Sequence, residues 1–251
     1  MSGHSKWSTI KRRKGAQDAK RSNLFAKLLR AVEVAAREGG GNVEANMTLA
    51  SAIEKARDAS VPNENIERAI KRGTGELEGG QRYEEVVYEG YGAGGVAMFV
   101  ECLTDNRNRT AQEVRHAFTR NGGNLGESGS VAWMFQRKGL IQIEKSQAAD
   151  EEQLLEIALE AGADDLSDAE STWEITTEPG ALAAVRDAIA ERGIPMLSAE
   201  LTMIPQSTVP VEGGQAKQVL ALLEALDDLD DVQSVYANFD IPESMMAQLS
   251  G

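Results

Sequence analysis

The chain has a single cysteine, Cys102, and only two histidines. One thiol cannot form an intramolecular disulfide or build a Cys-rich metal site. The N-terminal residues lack the apolar stretch of a secretory signal, and no run approaches the roughly 18 apolar residues of a transmembrane helix. We therefore expect a cytoplasmic protein without membrane association, structural metal or cofactor.

Aromatic residues are also scarce, at 5% of the chain, whereas the hydrophobic share of 41% is ordinary for a globular protein. The core should therefore consist mainly of Ala, Leu, Val and Ile. A length of 251 residues exceeds what one small domain needs, so two or three domains are expected.

Recognisable catalytic motifs are absent as well. Gly90, Gly92 and Gly95 satisfy the spacing G-x-G-x-x-G, but a dinucleotide fingerprint needs the last glycine to open a helix. Here the last glycine leads into the apolar run VAMFV, which is typical of a strand, so the glycines are interpreted as a hairpin turn. No nucleophile elbow, P-loop or paired-His motif occurs, and we expect a non-enzymatic protein.

Positive charge is concentrated at the N-terminal end of an acidic chain. The formal net charge is -14, yet residues 1–30 hold nine lysines and arginines against one acidic residue, a net charge of +8. Residues 1–72 together carry +7, so the remainder carries -21. A basic end attracts a polyanion, while the acidic remainder repels one and limits nonspecific binding. A solvated basic tail without a partner is the alternative interpretation.

The basic segment supplies most of the predicted nucleic-acid contacts, through electrostatic docking by residues 6–30. Trp7 lies among the cations and offers a plane on which a base can stack, although packing against the helical domain is an equal alternative. The predicted nucleic-acid-binding residues of this segment are Lys6, Trp7, Lys11, Arg12, Arg13, Lys14, Lys20, Arg21, Lys27 and Arg30.

Hydrophobic periodicity predicts three helices at residues 16–38, 43–59 and 62–73, with Gly73 as the cap of the third. These helices form a small bundle, and a Gly-rich break at residues 73–80 separates it from the rest of the chain.

Strands and helices alternate in the remainder. Strands are predicted at residues 86–91, 96–103 and 130–135, with a helix at 110–119 between the second and the third. The pattern then becomes β-α-β-β-α-β, which is typical of a ferredoxin-like sandwich. A helix at 216–226 and a strand at 232–239 complete the chain.

A polar segment precedes the predicted helix at 110–119. Arg107 and Arg109 form a local positive point within the acidic half, where they could bind phosphate near the helix N-terminus. In the alternative, Asp105 or Thr110 caps the helix and the arginines pair with carboxylates such as Glu113.

Acidic residues cluster between the last helix and the last strand, at Asp227, Asp228, Asp230 and Asp231. A solvated turn is the preferred interpretation over a cation site, because no ligand spacing is evident.

Five segments occur in order along the chain: residues 3–14, beginning GHSKW; NIERAIKRGTG at 65–75; YEGYG at 88–92; TDNRNRT at 104–110; and GSVAWMF at 129–135. Together they resemble the YebC/PmpR family, bacterial relatives of the mitochondrial translational activator of cytochrome oxidase. The proline that usually follows the third segment in that family is replaced by Ala93.

The resemblance implies an α+β multidomain protein, in which an N-terminal three-helix bundle precedes two α+β domains. The third domain, ferredoxin-like, is inserted in the second. The expected boundaries are 1–76 for the basic arm and bundle, 77–136 plus 206–251 for the discontinuous domain, and 137–205 for the insertion.

The resemblance also implies function, in two forms. One is a DNA-binding transcriptional regulator. The other is a ribosome-associated translation factor that binds ribosomal RNA and helps translation of difficult, proline-rich sequences. Both need a polyanionic partner. We expect a monomer, since no coiled-coil pattern is present.

Overall fold

The computed structural model describes residues 18–80, 82–147, 150–169 and 171–241, and it describes side chains from residue 21 onward. Within these ranges the chain forms seven α-helices and ten strands. In chain order they are α1 (Asp18–Gly39), α2 (Met47–Asp58), α3 (Asn63–Gly73), β1 (Glu84–Tyr91), β2 (Ala97–Thr104), α4 (Arg107–Arg120), β3 (Asn124–Leu125), β4 (Phe135–Glu144), α5 (Glu151–Glu160), β5 (Ala163–Ala169), β6 (Thr172–Thr177), α6 (Leu182–Glu191), β7 (Ser198–Pro205), β8 (Val209–Pro210), α7 (Gly213–Asp227), β9 (Val232–Ala237) and β10 (Phe239–Asp240).

The first three helices form the predicted bundle. Leu49, Ile53 and Ala56 of α2 are buried, as their helical spacing predicted. Asn46 caps α2, because its side-chain oxygen accepts a hydrogen bond from Leu49 N–H at 3.0 Å. Its amide also donates to the Ala35 carbonyl at 2.8 Å, so one side chain fixes the turn between α1 and α2.

Gly73 has a different role from the predicted cap. The cap residue of α3 is Thr74, and the left-handed conformation occurs at Gly75, where φ is 79°. Gly73 lies inside the bundle, where an added Cβ would sit 2.3 Å from the Glu33 carbonyl oxygen. A glycine is needed there because α1 and α3 approach too closely for any side chain.

The second domain is a four-stranded sheet covered on one face by α4 and α7. Its strand order is β3-β1-β2-β9, with every neighbouring pair antiparallel. Phe118 of α4 and Leu222 of α7 are fully buried in a cluster with Met98 of β2. The short turn Ala93–Gly95 joins β1 to β2, which confirms the predicted hairpin.

The third domain has the predicted ferredoxin-like topology. Its strand order is β5-β6-β4-β7, all antiparallel, and the connections through α5 and α6 give β-α-β-β-α-β. The core between helices and sheet contains Ile141, Leu154, Ile175, Val185 and Ile189.

The third domain is inserted in the second, as the resemblance implied. β9 pairs with β2 and follows the whole third domain in the chain, with Met98 opposite Ala237. The chain enters and leaves the third domain at adjacent positions, because Phe135 at the start of β4 pairs with Pro205 at the end of β7. β8 and β10 add a short parallel pair beside the return of the chain.

The predicted strand at 130–135 is wrong. The chain makes a tight turn at Ala132–Met134 and becomes extended only from Phe135. The buried Glu89 carboxylate accounts for the turn, because it accepts hydrogen bonds from the backbone N–H groups of Gly129, Val131 and Ala132 at 2.6, 2.7 and 2.7 Å. An extended chain could not bring these three donors to one side chain.

Glu89→Gln tests this turn. Burial raises the pKa of the Glu89 carboxyl, but the three backbone donors outweigh burial and hold it below its usual value. The glutamine side chain has nearly the same shape as the glutamate. One carboxylate oxygen, an acceptor, becomes an NH₂ group, a donor that faces the backbone N–H groups of the turn. We expect the free energy of unfolding in urea to fall by about 2 kcal/mol.

The control for this variant is Glu85→Gln, which changes an exposed carboxylate on the same strand and should leave stability unchanged. Equal unfolding midpoints for both variants and the parent would show that the turn does not depend on the Glu89 charge.

No helix in the described part of the chain is both long and apolar enough to cross a membrane.

Candidate nucleic-acid interface

Six of the predicted contact residues lie outside the described residues: Lys6, Trp7, Lys11, Arg12, Arg13 and Lys14. Lys20 lies within α1, but its side chain is outside the described part. The structure therefore places the start of α1, from which the basic segment extends, and the side chains of the five remaining candidates.

Arg21 is exposed near the start of α1. Its guanidinium lies over the Phe25 ring, 5.3 Å from the centroid, which leaves the charge at the surface. Arg21 therefore continues the basic segment onto the described helix.

Lys27 and Arg30 lie farther along α1, and both contact the turn between α7 and β9. The Lys27 ammonium donates a hydrogen bond to the Asp227 carbonyl, and Lys27 is only 6% exposed. Arg30 Nη1 lies 2.9 Å from each of three oxygens, the carbonyls of Leu103 and Asp230 and Oδ1 of Asp231. These contacts also suit the negative C-terminal end of α7. Two predicted nucleic-acid contacts thus hold the bundle against the second domain.

Asp231 is the centre of this contact and is only 1% exposed. While Oδ1 accepts from Arg30, Oδ2 accepts from Thr104, Arg109 and Thr110 at 3.0, 2.7 and 2.7 Å. Burial raises the pKa of the Asp231 carboxyl, but the hydrogen bonds from Arg109, Thr110 and Thr104 outweigh it and hold the pKa below the usual value. We call these five side chains, Arg30, Thr104, Arg109, Thr110 and Asp231, the Asp231 cluster.

The interpretation of the acidic turn as solvated is wrong for Asp231. An unpaired carboxylate would be costly at this depth, and four donors from three parts of the chain compensate for its burial. Among the described residues, no group of His, Cys, Asp or Glu side chains is arranged to hold a metal ion.

The helix that carries Arg107 and Arg109 begins earlier than predicted, at Arg107 instead of residue 110. Its cap is Asn106, whose side chain accepts from Arg109 N–H at 3.1 Å, and neither Asp105 nor Thr110 has that role.

The two arginines then differ. Arg109 pairs with Asp105 at 2.8 Å and with Asp231 at 2.7 Å, and these carboxylates raise the pKa of its guanidinium. Arg107 is 67% exposed and approaches Glu84 only to 3.8 Å. Within the described residues, neither arginine forms an ion pair with the predicted partner Glu113. Arg107 is thus the more exposed of the two, whereas the 44% exposed Arg109 is paired with two carboxylates.

The bundle also contacts the third domain, through exposed ion pairs. Arg186 lies 3.3 Å from Glu54, and Lys55 lies 3.6 Å from Glu200. Exposed pairs of this kind contribute little to stability, so the Asp231 cluster is the stronger link between the bundle and the rest of the protein.

The architecture and sequence match a known family over most of the chain. Residues 5–76 match the TACO1/YebC protein N-terminal domain, and residues 83–239 match the TACO1/YebC second and third domain. The chain belongs to the TACO1/YebC family.

Relatives within the TACO1/YebC family are similar along their whole length. A protein of Pelotomaculum thermopropionicum is 57% identical over 97% of this chain and 100% of its own length. One of Rubrobacter xylanophilus is 56% identical over 100% of both chains. Each is named a probable transcriptional regulatory protein.

One solved structure that is similar to this chain is the crystal structure of a conserved hypothetical protein from Aquifex aeolicus. It is 51% identical, covers 90% of this chain and 92% of its own, and superposes with a TM-score of 0.79. The TACO1/YebC fold described above is therefore shared with an experimentally determined relative.

Proposed function

We propose that this chain is a regulator of gene expression that binds duplex DNA through its basic N-terminal segment. The observation that carries the proposal is the charge division, +8 over residues 1–30 in a chain of net charge -14. Relatives with more than half of their residues identical are named probable transcriptional regulatory proteins, which supports a regulatory role. Binding alone accounts for such a role, and we propose no catalytic step, no cofactor and a monomeric state.

The position of α1 supports this proposal. Lys27 and Arg30 are engaged by the second domain, so within the basic segment the proposal rests on the cations at residues 6–21. Because α1 is fixed to the second domain at the Asp231 cluster, the basic segment starts from a defined place. The acidic remainder of the protein then faces away from the ligand and weakens binding at other orientations.

A second candidate function is a translation factor that binds ribosomal RNA, and the surface of α3 favours it. Glu64 and Glu67 are exposed on that helix, and Arg68 pairs with Glu64 at 2.7 Å. Carboxylates on this face would repel phosphates, so α3 does not resemble the recognition helix of a helix-turn-helix protein. Recognition of folded RNA by shape and backbone needs no such helix.

Crosslinking the protein to nucleic acid in cells, followed by sequencing of the recovered fragments, separates the two candidates. A DNA-binding regulator recovers promoter DNA. Recovery of ribosomal RNA alone, with co-sedimentation on ribosomes, would reject the DNA proposal in favour of the translation factor. Recovery of neither nucleic acid above the level of an uncrosslinked sample would reject both.

A further inference from the structure

α4 is a positive element in an acidic surrounding. Residues 73–251 carry a net charge of -21, yet the 14 residues of α4 contain four arginines and one carboxylate, Glu113. Arg109 compensates the buried Asp231 carboxylate, but Arg115 and Arg120 are exposed and are not needed for packing.

The two faces of α4 differ in composition. One face is buried against the sheet and contains Thr110, Val114, Ala117 and Phe118. The opposite face is exposed and consists of side chains that can donate or accept hydrogen bonds without carrying negative charge. Four residues lie there at helical spacing, namely Asn108, Gln112, His116 and Thr119.

Arginines border this row on both sides. The helical spacing of 3.6 residues per turn places Arg115 on one flank and Arg120 on the other. Both are exposed, and neither has an ion-pair partner within the described ranges of the chain. Arg109, by contrast, is held by Asp105 and Asp231. The charges of Arg115 and Arg120 are therefore available to a ligand.

We propose that this exposed face of α4 docks in the major groove of duplex DNA. This inference rests on the proposed function and adds a second contact to the basic N-terminal segment. The major groove of B-form DNA is about 12 Å wide and admits one helix, and Asn and Gln side chains pair with adenine edges there. In this arrangement the central row reads base edges, while Arg115 and Arg120 hold phosphates on the two sides of the groove.

The occupant is DNA and not duplex RNA, because the major groove of A-form RNA is too deep and narrow for side chains to read. The positively charged flanks would repel a basic protein surface and attract the phosphates of nucleic acid.

The Asp231 cluster connects the two DNA contacts. Its carboxylate binds Arg30 of α1 through one oxygen and Arg109 of α4 through the other. α1, from which the basic segment extends, therefore meets the first turn of α4. In this proposal, one duplex contacts both the segment and the helix face.

The first test is Arg115→Ala with Arg120→Ala, measured with a short DNA duplex over a salt series. Loss of two phosphate contacts should lower affinity about tenfold or more at low salt and reduce the salt slope by about two. Arg137→Ala with Arg192→Ala removes two exposed cations of the third domain and should change neither quantity beyond a small general effect. Far-ultraviolet circular dichroism and thermal unfolding should be unchanged, since all four side chains are exposed.

A second test concerns base reading. Asn108→Ala with Gln112→Ala should flatten the sequence preference selected from a randomised duplex pool and leave the salt slope as in the parent. Arg115→Lys with Arg120→Lys should retain the slope, because the phosphate charges are kept.

The outcomes separate this inference from the proposed function. If the alanine variants of α4 bind the DNA duplex with unchanged affinity, slope and preference, while variants of residues 11–14 lose binding, only the α4 contact is rejected. If the parent binds duplex RNA at least as well as DNA, and the α4 variants weaken both alike, major-groove docking is also rejected. If the parent binds neither nucleic acid, both proposals are wrong.

Discussion

Replacing Lys11, Arg12, Arg13 and Lys14 together by alanine is expected to lower affinity for nucleic acid by about a hundredfold or more at physiological salt. Each neutralised phosphate contributes about 0.9 to the slope of log affinity against log salt on duplex DNA. If about six phosphates are contacted, the parent slope is near -5, and loss of four contacts reduces its magnitude by roughly 3.6. Titration of a labelled duplex at several salt concentrations measures both quantities.

The matched control removes four exposed cations outside the basic segment, by changing Arg57, Lys71, Arg82 and Arg192 to alanine. This variant has the same net charge as the first, so it isolates position from total charge. Equal affinity and equal salt slope in the two variants would mean that the basic segment is not the docking element. The same pair of variants can be tested on a ribosomal RNA hairpin, where the slope per contact is smaller.

Asp231→Asn is expected to lower the free energy of unfolding by about 3 kcal/mol. The amide keeps one acceptor, but its NH₂ group faces donors from Arg30, Arg109 and the two threonines. Two guanidinium groups and two hydroxyls then share one oxygen, and partners that remain buried without an acceptor are costly. Chemical denaturation followed by fluorescence and circular dichroism measures the loss.

The control is Asp230→Asn. The Asp230 side chain is exposed, and Arg30 contacts only its backbone carbonyl, so this change should be nearly neutral. A stability loss of equal size in both variants would show that the effect comes from the charge of the turn and not from the hydrogen bonds of Asp231.

The Asp231 effect should depend on pH, with a definite sign. The pKa of this carboxyl is lowered by folding, so its contribution is fully present above the unfolded pKa of about 3.9 and is lost as the pH falls through the folded pKa. The difference in stability between the parent and Asp231→Asn should therefore be constant near neutral pH and shrink below about pH 4. A difference that grew on acidification would contradict the lowered pKa.

The local spacing of apolar residues was sufficient to predict most helices. The 3.6-residue spacing of apolar residues predicted the third helix at residues 62–73, and α3 spans Asn63–Gly73. Boundaries failed where a side chain outside the pattern decides them, as at α4, which begins three residues early because Asn106 caps it. The apolar residues at 130–135 predicted a strand. Glu89, some 40 residues earlier, instead stabilises a turn there by accepting hydrogen bonds from the backbone.

The candidate site depended on contacts that are distant in sequence, and the charge pattern could not supply them. Lys27 and Arg30 stand among the apolar residues of α1, unlike the contiguous cations at residues 11–14. Their partners lie 200 residues away, beyond the reach of any local pattern. Asp231 belongs to a run of aspartates that is typical of a solvated turn. Its burial follows only from the pairing of β9 with β2, which places it beside Thr104. A signal was present in the clustering of Thr104, Arg109 and Thr110, whose hydroxyl and guanidinium donors favour a buried anion.

The insertion also sets the order in which the molecule can assemble during translation. β2 and its partner β9 are separated by about 130 residues, so the second sheet keeps an open edge while the whole third domain is synthesised. The third domain can fold first, and pairing of Phe135 with Pro205 then joins its two ends, which removes most of the loop-closure entropy for the return of the chain. Asp231 lies just before β9, and α1 therefore gains its anchor only when this late segment arrives. α1 is synthesised early and is thus among the last elements to reach its final contacts. Slow synthesis of the third domain should delay docking of the bundle without delaying folding of the bundle itself.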